Sequence, residues 1–260
     1  MESYLYYIKI ILAIIIFFSQ KWRDLTDIKK ISEGLMETKN KNILFNSLNG
    51  MIHYSIPEKF RTPFLNWREI IPEAQILIDN FNVIRKECLR VANGDVPQFK
   101  DIDPNQKPLA DFGGKKWSTF FFKFHDKFNK ENCEKCPETA KLLKTLPVDV
   151  AMFSIMEKGK VLFPHRGPWK GVLRLHFGIE IPPMAKINVD KKDYFWKEGE
   201  LVLFDDTYIH HTSNPNGRRI ILFMDIKRNH IPPIFHEIAL KNATSYIRET
   251  NKKIQIKGLS

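Results

Sequence analysis

Beyond Pro147 the apolar residues gather into short runs rich in Val, Ile, Leu and Phe, separated by Gly, Pro, Asn and Asp. Four of them, Ala151 to Met156, Val172 to Ile181, Leu201 to Phe204 and Arg219 to Ile226, have strand length and turn-forming borders. Their spacing predicts a compact β sandwich or barrel packed against helices from the preceding segment. Between Asn42 and Thr145 the pattern is mixed and interrupted by prolines, with helical stretches near Glu73 to Val91 and Glu138 to Leu146. Pro137 suits a first helical turn, and Pro147 stops the second helix. The fold class that follows is α+β, mainly β with flanking helices.

The amino terminus has a different character. Tyr4 to Phe18 is apolar apart from Lys9, so a helix built from it is greasy on every side. At about 15 residues it falls a little short of the roughly 20 that span a bilayer, but Lys9 can snorkel and Trp22 can sit at the interface. No basic region precedes the stretch and no small-residue cleavage site follows it, which argues against a secretory signal. Lys21, Arg23, Lys29 and Lys30 follow instead. The expectation is a single-pass membrane anchor over residues 1–22, with the rest of the chain held on the cytoplasmic side.

Composition adds limits. With 43% hydrophobic and 27% charged residues the 260-residue chain matches an ordinary globular protein. Its formal charge of +11 is spread along the sequence, and no nucleic-acid signature accompanies it, so nucleic acid is not an expected partner. Cys88, Cys133 and Cys136 are too few for a disulfide framework. The Cys133-x-x-Cys136 pair lacks the further Cys or His that a structural zinc site needs.

Candidate chemistry lies in the β region. In the strand from Val172, a period of two puts Arg174, His176 and Gly178 on one face and Leu173, Leu175, Phe177 and Ile179 on the other. The same alternation groups Arg219, Ile221, Phe223 and Asp225 against Ile220, Leu222 and Met224. A face that carries a cation and an imidazole beside a greasy one must meet solvent or line a cavity holding their partners. The segments Phe163-Pro-His-Arg-Gly-Pro168 and Phe204-Asp-Asp-Thr-Tyr-Ile-His-His211 supply further imidazoles, whose neutral nitrogens suit first-row metals such as iron(II). An Arg at the far end of such a cavity pairs with a carboxylate through its planar fork.

With these motifs in view, the chain resembles the aspartyl/asparaginyl β-hydroxylase family, iron(II)- and 2-oxoglutarate-dependent dioxygenases on a double-stranded β-helix of the jelly-roll or cupin type. The resemblance is carried by Trp117 and the aromatic run after it, Cys136-Pro-Glu-Thr139, Met152-Phe-Ser154, His165-Arg-Gly-Pro168, Leu173-Arg-Leu-His-Phe-Gly178, Trp196-Lys-Glu-Gly199, Phe204-Asp-Asp-Thr-Tyr-Ile-His210 and Arg219 to Asp225. It implies a β-helix core over residues 147–230, a mostly helical part over 23–146 and a basic carboxy-terminal tail over 231–260. It implies iron ligation by His165 and His210, and contacts to the cosubstrate 2-oxoglutarate from Trp117, Ser154, Arg174, His176 and Arg219. Arg219 is expected to pair with the distal carboxylate, whereas Arg218 and His211, one step along each strand, should face away. Oxygen is the second cosubstrate, and ascorbate is expected to support activity.

One position departs from most such dioxygenases. Two residues after the first metal-binding His, where a carboxylate completes a facial triad, this chain has Gly167. The family's hydroxylases acting on Asp and Asn side chains are similar in this. Asp205 and Asp206 read as turn or supporting residues. Two substrate classes follow from the resemblance: an Asp or Asn side chain in a protein, or a lipid acyl chain, as in the lipid A 2-hydroxylase branch. Two alternatives remain beside hydroxylation, namely a halogenase-like use of an open Gly167 position and a membrane-tethered, non-catalytic binding module.

Overall fold

A computed structural model describes residues 2–26, 43–229 and 231–257. The helices are α1 (Glu2–Thr26), α2 (Ile43–Ser55), α3 (Trp67–Ile70), α4 (Gln75–Asp79), α5 (Phe81–Ala92), α6 (Phe99–Ile102), α7 (Lys107–Asp111), α8 (Lys130–Lys135), α9 (Pro137–Lys144), α10 (Pro233–Asn242) and α11 (Thr244–Lys257). The strands are β1 (Phe64–Leu65), β2 (Trp117–Phe124), β3 (Lys127–Phe128), β4 (Val148–Met156), β5 (Val161–His165), β6 (Val172–Glu180), β7 (Lys186–Val189), β8 (Lys192–Phe195), β9 (Leu201–Phe204), β10 (His210–Ser213) and β11 (Arg219–Lys227).

Among the described residues the strands form a seven-stranded sheet, in the order β1-β9-β6-β11-β4-β2-β3, and a four-stranded sheet, in the order β5-β10-β7-β8. Every paired neighbour is antiparallel. From β4 to β11 the chain alternates between the two sheets in the manner of a double-stranded β-helix. The Asp190-Lys191 turn between β7 and β8 has positive φ at both residues (49° and 66°), the primed geometry whose twist matches a hairpin.

Burial explains why the large sheet is stable where it is. Leu173, Leu175, Phe177 and Ile179 of β6 and Ile220, Leu222 and Met224 of β11 join one core, packed with Ile84 and Cys88 of α5 and Ala140 and Leu143 of α9. The opposite face of β11, through Ile221 and Phe223, packs with Ile187 and Val189 of the small sheet. That second face is the inside of the β-helix, and it is where Arg174, His176 and Arg219 lie.

The amino-terminal anchor is corrected. No helix among the described residues is long and apolar enough to cross a membrane. The apolar run of α1 rises only about 22 Å at 1.5 Å per residue. It continues without a break into Gln20, Lys21 and Arg23. Its later turns are also taken up by protein: Ser19 and Trp22 are buried, and the backbone of Phe18 lies against Gly50 of α2. The cytoplasmic orientation inferred from that anchor falls with it. At the other end, Pro233–Asn242 and Thr244–Lys257 fold as α10 and α11, and Ile254 is buried in a cluster with Phe121 and Phe124 of β2.

Candidate active site

Two imidazoles meet across the small sheet. His165 closes β5, His210 opens β10, and the two are register partners in an antiparallel pair. Their rings lie 4.1 Å apart between centroids. The Nδ1 of His165 is 2.7 Å from the Phe163 carbonyl, and that of His210 is 3.0 Å from the Tyr208 carbonyl. A carbonyl only accepts, so each Nδ1 carries the proton and each Nε2 is left with its lone pair. Burial pushes the pKa of His165 down to about 4, overcoming the Phe163 carbonyl that favours its charged form. Burial, then the neighbouring His165, holds His210 well below the usual range. Both rings are therefore neutral at pH 7 and their lone pairs available to an ion.

The loops behind these rings are braced by buried charge. Asp205 is ion-paired to Lys170 and Arg228 and accepts from the Thr207 hydroxyl at 2.6 Å. Arg166 donates to the Thr207 carbonyl at 2.6 Å, and the Gly167 amide donates to that of Asp206 at 2.7 Å. Helix α2 grips the same region through one side chain: Asn49 donates to the Pro168 carbonyl and accepts from the Lys170 amide, both at 2.9 Å. The segment after β5 is thereby stitched to the segment before β10, which sets the spacing of the two histidines.

A carboxylate does lie against Gly167, from a position that sequence reasoning had read as support. A Cβ added to Gly167 would fall on the carboxylate of Asp206. Glycine is thus required there, and the place of a missing side chain is filled from the neighbouring loop. Asp206 is ion-paired to Arg174 at 3.0 Å through Oδ2, while Oδ1 is buried without a hydrogen-bond partner. Burial raises its pKa to about 6. Its neighbourhood to Gly167 was invisible in the sequence, where 38 intervening residues separate the two.

Arg174 and His176 lie on β6 opposite Asp225 and Phe223 of β11. Arg174 bonds Asp225 at 3.0 Å as well as Asp206; burial works against its charge, but the two carboxylates outweigh that and raise its pKa. His176 is buried with both ring nitrogens unpartnered, and burial, then Arg219 and Arg174, keeps its pKa well below normal.

Arg219 is 1% exposed. Its Nη2 is 3.3 Å from the Ser154 hydroxyl, which also accepts from the Trp117 indole at 2.9 Å. Its Nε is buried without a partner, and burial alone lowers its pKa to about 9. Among the described residues it makes no ion pair, whereas the neighbouring Arg218 points outward to Glu180 at 2.9 Å. His211 is half-buried on the other side of β10, beside Asp193 and Lys186.

The structure thus gathers Trp117, Ser154, Arg174, His176 and Arg219 on the inner face of the large sheet and His165 and His210 on the small one. Trp196, which carried no assigned role, joins them: the Arg219 guanidinium lies over its ring at 4.8 Å. No cluster of three or more His, Cys, Asp or Glu suited to a metal occurs among the described residues. The donor set fits an ion held by two imidazoles, and Arg219, without an ion-pair partner among the described residues, and the unpartnered ring of His176 fit a small acid beside it.

A family model described as Aspartyl/Asparaginyl beta-hydroxylase matches residues 78–229. The chain is 36% identical to the ornithine lipid ester-linked acyl 2-hydroxylase of Rhizobium tropici, over 68% of this chain and 66% of that protein. It is 28% identical to the aspartate beta-hydroxylase domain-containing protein 2 of Xenopus tropicalis, over 69% of this chain and 52% of the relative. With the aspartyl/asparaginyl beta-hydroxylase of Homo sapiens it shares 29% identity over 59% of this chain and 21% of the relative. The chain therefore spans less than two thirds of the length of each.

Proposed function

Because the chain belongs to the aspartyl/asparaginyl β-hydroxylase family, we propose that it is an iron(II)- and 2-oxoglutarate-dependent dioxygenase that hydroxylates an unactivated carbon of a lipid acyl chain. The observation that carries the chemistry is the buried, ion-pair-free Arg219 on the same inner face as His176, across from two neutral imidazoles with free lone pairs. A buried cation without a counter-charge is costly, and an acidic ligand removes that cost. The acyl-chain reading is supported by the Rhizobium tropici relative, which is named for that substrate.

In this reading His165 and His210 hold the ion through Nε2, oriented by the Phe163 and Tyr208 carbonyls. When bound, iron(II) with 2-oxoglutarate and oxygen supplies the oxidising power that replaces C–H by C–OH. Arg219 pairs with the distal carboxylate of 2-oxoglutarate, and Ser154, tied to Trp117, fixes the guanidinium. His176 and Arg174 serve its other end; the Arg174 bonds to Asp206 and Asp225 engage Nε and Nη2 and leave Nη1 to the cosubstrate. The apolar inner surface around Phe204, Ile221 and Phe223 excludes water from the reacting carbon.

A second substrate reading, an Asp or Asn side chain, draws on Gly167, since the family's peptide hydroxylases share that glycine. Halogenation is disfavoured: it needs room at Gly167, and the Asp206 carboxylate takes that room. The non-catalytic module is disfavoured by relatives named as hydroxylases.

The test is succinate release from 2-oxoglutarate by the full chain with iron(II), oxygen and ascorbate. His165→Ala and His210→Ala are expected to abolish release, and Arg218→Ala and His211→Ala to retain it. Product mass on an acyl lipid against an Asp-containing peptide separates the substrates. No turnover together with no iron binding sinks the dioxygenase reading.

A further inference from the structure

One large side chain beside the proposed cosubstrate site has a polar atom with no work assigned to it. Trp196, just after β8, is 4% exposed and packs with Ala185, Val202 and Phe204. Its indole Nε1 is buried with no hydrogen-bond partner. Buried indole N–H groups ordinarily find an acceptor, because leaving one unmade forfeits its hydration. Trp117, the other tryptophan of this region, follows that rule by donating to Ser154 at 2.9 Å.

What surrounds Trp196 says what the acceptor is. The Arg219 guanidinium lies 4.8 Å from the centre of its ring, and the His176 ring lies 5.9 Å away. Both neighbours also hold buried nitrogens without partners: Nε of Arg219 and both ring nitrogens of His176. Unmet donors on two side chains in contact, Nε of Arg219 and Nε1 of Trp196, therefore come from separate elements, β11 and the segment after β8, and both can only donate. Such a set calls for a ligand rich in acceptors, as a carboxylate is. The ring face has a second use, since its negative quadrupole offsets part of the charge of a guanidinium that has no counter-ion.

We propose that Trp196 is a cosubstrate-contacting residue, its indole N–H donating to the distal carboxylate that Arg219 pairs with, and its ring holding the guanidinium ready for that carboxylate. The inference rests on the 2-oxoglutarate reading above. It makes recognition of the far end of the cosubstrate the joint work of a cation and a neutral donor from different strands' ends. Trp196→Phe keeps an aromatic ring under Arg219 and removes the N–H together with part of the ring volume.

The experiment is calorimetric titration of 2-oxoglutarate into the full chain loaded with zinc(II), a redox-inert stand-in that needs no turnover. Trp196→Phe is expected to weaken 2-oxoglutarate binding about tenfold or more, the scale of one charge-assisted hydrogen bond, with zinc affinity unchanged. Equal affinity in the two proteins overturns the proposal while leaving the dioxygenase reading intact. Failure of the unsubstituted protein to bind 2-oxoglutarate at all overturns both. Should the Phe variant fail to fold, the unsubstituted protein decides the matter through its ¹⁵N-labelled indoles, assigned by elimination against Phe variants of the other tryptophans. A Trp196 Nε1–H resonance that moves downfield with 2-oxoglutarate supports the contact, and one that stays in place overturns it.

Discussion

Arg219 illustrates how a single residue can serve function at the expense of the fold. A guanidinium that is 1% exposed, with one hydroxyl and one ring face for company, gives up its hydration and recovers little of it. Arg219→Met, of similar length and no charge, is expected to raise the stability of the ligand-free protein by about 1–4 kcal/mol in urea denaturation and to remove 2-oxoglutarate binding. Unchanged or lower stability would mean the charge is already compensated. At this scale much was legible in advance: a period of two along β6 and β11 separates Arg174, His176 and Arg219 from the greasy face without any coordinates. Asp206 was not legible, because its meeting with Gly167 depends on two loops that only the closed β-helix brings together.

The elements divide in the same way. Strands β4, β9 and β11 of the large sheet are mostly apolar runs and β6 alternates with a period of two, so the chain announces them. The small sheet is built from Val161–His165, Lys186–Val189, Lys192–Phe195 and His210–Ser213, segments of four or five residues with charged or polar positions, too short for a pattern to stand out. Pairing across the sheet, and not local pattern, makes them strands, which is why the individual strands bearing both imidazoles were not read from the sequence. Helix α1 shows the converse error: its apolar composition was read as a membrane span, but α2 claims its later turns. Gly50→Ala tests that contact, because a Cβ there would meet the Phe18 backbone, which has no rotamer with which to yield. The expected result is separation of α1 from α2, seen as a red shift of Trp22 emission and a stability loss of about 1–3 kcal/mol. Emission identical to the parent protein would show that the helices do not touch as described.

Over the whole molecule, buried and half-buried histidines tie stability to pH. His53 on α2 has its pKa lowered to about 4 by burial, then by Lys170 and Arg61. An unfolded His titrates near 6.5. Between those values the unfolded chain binds the extra proton, so this contribution is complete above about pH 6.5 and is lost as pH falls toward 4. Melting temperature is expected to drop between pH 7 and pH 5, and to drop less in His53→Phe; equal drops would assign the effect to the other buried histidines. By itself the sequence determined the large sheet, its two faces, the family and the residues worth testing, because hydrophobic period and motif order are local properties of a chain. Only the tertiary structure decided which segments build the second sheet, that His165 and His210 meet ring to ring, that Asp206 fills the place beside Gly167, and that Trp196 backs Arg219. Each of those is a contact between segments far apart in the chain, chosen by the closure of the β-helix, and no local pattern encodes it.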